Sequence, residues 1–171
     1  TVSDFGKEYD SLVDLVAFGL APALVLYEWG LKDFGKLGWL TAFIYAATTA
    51  LRLARFNTQD IKGNKYFHGL PCPAAAVLIA TALWAVESYG LTGTWTVVTA
   101  LLAMIALSAA MVSSFHYRSF KDLDLKHRVP FMTLLALVLV FVLISFDPPV
   151  VLLLLSAGFA LSGPFFWLFG K

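Results

Sequence analysis

Six mostly apolar stretches, each about the length of a membrane-spanning helix, follow one another along the chain, separated by short breaks rich in glycine, proline or charge. Spanning about 30 Å of hydrocarbon at 1.5 Å per residue requires about 20 such residues in a helix. A chain surrounded by lipid must also satisfy its backbone hydrogen bonds internally, and no stretch alternates with the period of a strand. The sequence therefore predicts an all-α transmembrane bundle of about six helices, in one domain over residues 1–171. The predicted spans are 11–31, 38–55, 72–89, 94–117, 129–146 and 150–169.

The composition agrees with a membrane protein. Apolar residues make up 60% of the chain and charged residues 13%, about half the charged share of a soluble domain. Cys72 is the only cysteine, so an intrachain disulfide and a cysteine-based zinc site are both excluded.

The basic residues are distributed unequally between the two sides of the predicted membrane. Six spans place both ends of the chain on one side, and Lys and Arg are enriched in cytosolic segments. We therefore expect both ends to be cytosolic, in a cell (inner) membrane. The opposite side receives only Lys32 and Lys36, whereas the side of the two ends receives Lys7, Arg52, Arg55, Lys62, Lys65, Arg118, Lys121, Lys126, Arg128 and Lys171.

A stripe of one glycine and two carboxylates precedes the first span. Gly6, Asp10 and Asp14 are each four residues apart, so on a helix they share one face. The glycine leaves room for a ligand to approach the backbone, and the carboxylate oxygens suit Mg²⁺ or Mn²⁺. Two carboxylates are too few for a pair of ions. The alternative is that both are ordinary acidic residues in the first turns of a helix, stabilised by its dipole.

A second group of polar side chains lies at the end of the second predicted span. Arg52, Arg55 and Asn57 lie within six residues at its predicted cytosolic end. Guanidinium groups there could bind phosphate or carboxylate. The alternative is that the arginines are topology anchors that extend to the lipid headgroups.

The stripe resembles the second half of a family signature. CDP-alcohol phosphotransferases carry D-x-x-D-G-x-x-A-R, a spacer, and then G-x-x-x-D-x-x-x-D. Within that family, residues 5–14, 51–57 and 66–76 are similar, in the same order, to phosphatidylserine synthases, whereas phosphatidylglycerophosphate synthases usually have proline where Ser11 stands. The first half of the signature is not in this chain. The resemblance therefore implies two further N-terminal helices, eight in all, and an inactive fragment without them.

The resemblance also implies a reaction and a role for each site residue. The phosphatidyl group of CDP-diacylglycerol would pass to the hydroxyl of L-serine, with release of CMP and with Mg²⁺ or Mn²⁺ as cofactor. Asp10 and Asp14 would bind the metal, with Asp14 also the general base, and Gly6 would make room for the CDP-lipid. The second group, Arg52, Arg55 and Asn57, would hold the carboxylate of serine or the transferred phosphate. The implied partners are these substrates, membrane lipid and a second copy in a homodimer, with no nucleic acid.

Three alternatives remain open at the level of sequence. The acceptor could be another alcohol, as in phosphatidylglycerophosphate or phosphatidylinositol phosphate synthesis. The chain could instead be a small helical transporter whose intramembrane acids bind a coupling ion or proton. It could also be a structural membrane scaffold, in which replacing Asp10 and Asp14 by asparagine would change little.

Overall fold

The computed structural model of the chain describes residues 4–58, 66–91, 93–114, 116–118 and 131–169. The protein is an all-α bundle, as predicted, with one short β-ribbon. Its elements are α1 (Asp4–Asp14), a π-helical segment (Leu15–Leu20), α2 (Ala21–Trp29), a 3₁₀ turn (Leu31–Phe34), α3 (Lys36–Thr58), β1 (Tyr66–His68), α4 (Cys72–Ser88), α5 (Thr94–Val112), β2 (His116–Arg118), α6 (Phe131–Phe146) and α7 (Pro148–Phe169).

The described residues form six helical spans, because α1, the π-helical segment and α2 follow one another without a break. In the described part of the chain, four helices are long and apolar enough to cross a membrane, and two apolar helices are shorter. The protein is therefore a membrane protein. The basic residues at positions 62, 65, 121, 126, 128 and 171, used above to predict its orientation, lie outside the described residues. The four long helices are Glu8–Trp29, Lys36–Thr58, Thr94–Val112 and Pro148–Trp167, and the shorter two are Cys72–Ser88 and Met132–Phe146.

The first helix begins earlier than predicted. Hydropathy placed its start at residue 11, whereas α1 begins at Asp4. Charged residues such as Lys7 and Glu8 lower hydropathy, but both are good helix formers. The stripe therefore belongs to a helix that continues into the membrane.

Helix α3 is at the centre of the bundle, packed against α5 and against the first helix, while α4 packs against α7. The core is built around fully buried side chains including Tyr45, Met104 and Met111. Two glycines allow close packing around α3. A Cβ on Gly19 would lie 3.1 Å from Thr49, and one on Gly38 would lie 1.8 Å from the Leu31 carbonyl oxygen. Most of α6 is exposed, as expected of an apolar helix in contact with lipid.

A two-stranded antiparallel ribbon lies at one end of the bundle and corrects one predicted boundary. Strand β1 pairs with β2 in the register Tyr66 to Arg118 and His68 to His116. The span predicted over 94–117 ends at Val112, because Ser113 is extended and the chain then enters β2. Three-residue strands are too short to show an alternating pattern, which is why the sequence did not reveal them.

At the opposite end of the bundle, acidic side chains join neighbouring helices. Trp29 donates a hydrogen bond from Nε1 to Glu87, which ties the end of α2 to the end of α4. The Tyr89 hydroxyl donates to Asp147, which precedes α7. This hydrogen bond to a carboxylate raises the pKa of the Tyr89 hydroxyl. Glu87 and Asp147 therefore have structural partners at the end of the bundle remote from Gly6, Asp10 and Asp14.

Candidate active site

The Gly6, Asp10 and Asp14 stripe lies on α1 as the spacing predicted, with all three residues in one unbroken helix. Asp10 is exposed, while Gly6 and Asp14 are half-buried. The two carboxylates are one turn apart and repel each other electrostatically. A pair of adjacent like charges facing outward near a helix end can be stabilised by a cation.

A hydrogen bond joins the stripe to the end of α3. Asn57 donates from Nδ2 to Ser11 Oγ over 2.9 Å, and Ser11 directly follows Asp10 in α1. The second group of predicted site residues is thereby brought next to the first. Arg55 lies in the last turn of α3 and is exposed, so its guanidinium can reach a ligand from solvent or from the headgroup region.

Arg52 is held against the turn that precedes α4. Its Nη1 lies 3.5 Å from Cys72 Sγ, and its Nη2 donates to the Gly69 carbonyl over 3.4 Å. The distance to the carbonyl oxygen is long for an N–H···O hydrogen bond. Arg52 Nε is buried and has no hydrogen-bond partner among the described residues. A buried guanidinium donor without an acceptor costs about 1–3 kcal/mol, so this group is suited to receive an anionic oxygen.

Arg52 and the stripe converge on the same side chain. Cys72, fully buried at the start of α4, contacts the Arg52 guanidinium and lies within electrostatic range of Asp14. The first helix, α3 and α4 therefore contribute Asp14, Arg52 and Cys72 to one region. This region therefore combines a carboxylate of the first helix with a guanidinium of α3.

The carboxylates of Asp10 and Asp14 are suited in type to a divalent cation. Carboxylate oxygens are the ligands that Mg²⁺ and Mn²⁺ prefer, and Asp10 and Asp14 supply them from one face. Among the residues that the structure describes, no cluster of three or more His, Cys, Asp or Glu side chains could hold a metal ion. The residues present therefore fit a hard divalent cation in type, and such a cation would need further ligands besides these two carboxylates.

Sequence reasoning missed two contacts at this site. Cys72 served only to exclude a disulfide and a cysteine-based zinc site, yet its Sγ lies 3.5 Å from Arg52 Nη1. Ser11 was noted only as a marker of the subfamily, yet it bonds Asn57. The available signal was position, because Ser11 lies within the stripe and Cys72 immediately follows the Gly69-Leu70-Pro71 turn.

The fold and the site together define an α-helical membrane protein with a carboxylate and guanidinium site at one end of its bundle. The model of the CDP-alcohol phosphatidyltransferase family matches residues 1–112 of this chain. The chain belongs to that family, which confirms the resemblance that the stripe indicated.

Individual members of the family are similar to this chain over most of its length. The chain is 36% identical to a CDP-diacylglycerol–serine O-phosphatidyltransferase of Helicobacter pylori over 143 residues, which are 83% of this chain and 60% of the relative. It is 40% identical to an archaetidylserine synthase of Methanothermobacter thermautotrophicus over 116 residues, 68% of this chain and 46% of the relative. The chain thus spans about 60% of the length of the Helicobacter relative.

Proposed function

We propose that the protein is a phosphatidylserine synthase, which transfers the phosphatidyl group of CDP-diacylglycerol to L-serine and releases CMP. The observation that supports this proposal is the hydrogen bond from Asn57 at the end of α3 to Ser11, the neighbour of Asp10 in the acidic stripe. Relatives whose names specify transfer to serine support the choice of acceptor. On this proposal, residues 1–171 belong to one transmembrane catalytic domain, which is N-terminally incomplete in this chain and which acts on the cytosolic face of a cell membrane.

Asp14 is the proposed general base. Its half-buried carboxylate would accept the proton of the serine hydroxyl as that oxygen forms its bond to the phosphorus of the phosphatidyl group. The bond from that phosphorus to the oxygen of the leaving CMP breaks in the same substitution. Correctly placed general bases contribute roughly 10²–10⁴-fold to the rate.

Asp10 and Asp14 are the proposed metal ligands, and Mg²⁺ or Mn²⁺ is the proposed cofactor. When bound, such a cation would neutralise negative charge on the pyrophosphate and the leaving group. Gly6, one turn before Asp10, would let the cytidine nucleotide lie against the helix backbone. Its half-buried position on the same face supports this role.

Arg52, Arg55 and Asn57 are the proposed ligands for the carboxylate of serine or the transferred phosphate. Arg52 has the strongest support, because its buried Nε has no acceptor in the described structure. Asn57 bonds Ser11 through one N–H of its amide group, and the amide has a second N–H that could donate to a carboxylate or phosphate oxygen. We also propose that the protein acts as a homodimer, a property suggested by the family resemblance alone.

Neutralising Arg52 should raise the KM for serine much more than the KM for CDP-diacylglycerol. Loss of a hydrogen bond to a charged group costs about 1.5–3 kcal/mol, or roughly 10–100-fold in binding. We therefore expect Arg52→Gln to raise the KM for serine by that factor in a steady-state assay. Lys36→Gln, which removes an exposed cation at the opposite end of the bundle, is the matched control. An unchanged KM for serine in Arg52→Gln would remove Arg52 from the acceptor site.

A panel of acceptors tests the proposed function against its alternatives. Full-length protein in detergent would receive CDP-diacylglycerol, Mn²⁺ or Mg²⁺, and in turn L-serine, glycerol 3-phosphate and inositol 1-phosphate. We expect CMP release when L-serine is the acceptor, and none with glycerol 3-phosphate or inositol 1-phosphate. Release driven by another alcohol would move the protein within its family. No release with any acceptor would favour a transporter.

A further inference from the structure

Pro22 interrupts the hydrogen bonding of the first helix. Proline has no backbone N–H, and its ring crowds the carbonyl four residues earlier, here that of Phe18. The helix responds by widening, because residues Leu15–Leu20 are π-helical and the Ala21 N–H bonds the carbonyl of Val16, five residues earlier. The π-helical segment ends directly before the proline turn.

The Phe18 carbonyl obtains its donor from another helix. Tyr45 of α3 is completely buried, and its hydroxyl donates to the Phe18 carbonyl over 3.1 Å. One turn further along α3, Thr49 packs against Gly19 and donates its own hydroxyl to the Tyr45 carbonyl over 2.9 Å. Tyr45 and Thr49 thus form one turn of α3 that packs against the π-helical segment.

The π-helical segment determines which way the acidic stripe faces. Each residue of an α-helix turns the chain by about 100°, and a π-helical turn inserts one residue. Everything before Leu15, including Asp10 and Asp14, is therefore rotated by about 100° relative to a regular helix running on from α2. In the observed register, Ser11 meets Asn57.

We propose that Tyr45 is a positioning residue that aims the acidic stripe. Its buried hydroxyl donates a hydrogen bond to the Phe18 carbonyl, which lacks its α-helical donor because residue 22 is a proline. This hydrogen bond keeps the π-helical segment in the register in which Ser11 contacts Asn57. The inference rests on the proposed function only in treating the stripe as the reactive site. The register itself can be measured without any assay of activity.

A cysteine pair reports the register directly. Ser11→Cys and Asn57→Cys would be introduced together in full-length protein carrying Cys72→Ala, and the rate of disulfide formation under a mild oxidant would be measured. Tyr45→Phe should slow that rate by roughly ten-fold or more, because a rotation of about 100° carries position 11 away from α3. Tyr27→Phe makes the same change at a half-buried tyrosine of α2 and should leave the rate unchanged. An unchanged rate in Tyr45→Phe would overturn the inference.

Pro22→Ala supplies a second test, which also covers the case in which Tyr45→Phe fails to fold. Alanine at position 22 restores an N–H that can bond the Phe18 carbonyl. Tyr45→Phe should then lower the melting temperature much less in the Pro22→Ala background than in the parent, a non-additive pair. Equal losses in both backgrounds, or a double variant that does not fold, would contradict the role assigned to Tyr45. A fully active Asp14→Asn would count against the proposed function and leave these results intact.

Discussion

Asp14→Asn is expected to lower serine-dependent CMP release by at least roughly 10³-fold, the upper part of the range for removing a general base. Asparagine keeps the size of the side chain but can neither accept the proton nor offer a charged oxygen to a metal. Because Asp14 is half-buried and forms no ion pair with the residues that the structure describes, the protein should still fold. The measurement is initial CMP release by full-length protein in detergent.

The matched control for this substitution is Asp33→Asn. Asp33 is an exposed aspartate in the 3₁₀ turn Leu31–Phe34, at the opposite end of the bundle. The Asp33→Asn variant should retain the activity of the parent protein under the same conditions. If Asp14→Asn and Asp33→Asn were equally active, the stripe would be no more than a set of acidic residues at a helix start.

Gly69→Ala is expected to destabilise the protein by about 3 kcal/mol, the sum of a backbone and a packing cost. Gly69 has a φ of +80°, which costs a residue with a Cβ about 1–2 kcal/mol. An added Cβ would also lie 2.3 Å from the Met111 carbonyl oxygen. That oxygen belongs to the end of α5, where Leu70 N–H bonds the Ala110 carbonyl over 3.0 Å, so neither backbone can easily move.

The control for Gly69→Ala is a second glycine with positive φ. Gly90 has a φ of +60°, but nothing lies within 4 Å of its added Cβ. Gly90→Ala should therefore show the backbone cost alone, about 1–2 kcal/mol. Thermal unfolding in detergent compares the two variants. Equal losses of stability in the two variants would mean that the turn before α4 is not packed tightly against α5. Because Arg52 also bonds the Gly69 carbonyl, only Gly69→Ala should weaken serine binding as well.

The parts of the fold that hydropathy governs could be predicted from the sequence. Six apolar helical spans follow from the need to cross a membrane with every backbone group satisfied. The direction of the stripe within α1 follows from the spacing of Gly6, Asp10 and Asp14. Such features depend on neighbours a few residues away, which a single sequence displays directly.

Features that depend on distant partners could not be predicted. The proline at position 22 is visible in the sequence, but the hydrogen bond from Tyr45 to the Phe18 carbonyl comes from a helix 27 residues away. The end of α5 at Val112 depends on the pairing of β2 with β1, about 50 residues earlier in the chain. Likewise, the roles of Ser11 and Cys72 come from side chains on other helices, and no local pattern encodes those contacts.

The central claim is transfer of a phosphatidyl group to serine at the Asp10 and Asp14 site. The most direct measurement follows isotopically labelled L-serine into lipid extracted from a reaction of full-length protein, CDP-diacylglycerol and Mn²⁺ or Mg²⁺. We predict labelled phosphatidylserine in equal amount to the CMP released, lost on chelation of the metal and lost in Asp14→Asn. CMP release without label in the lipid, or labelled lipid formed equally by Asp14→Asn, would contradict the claim.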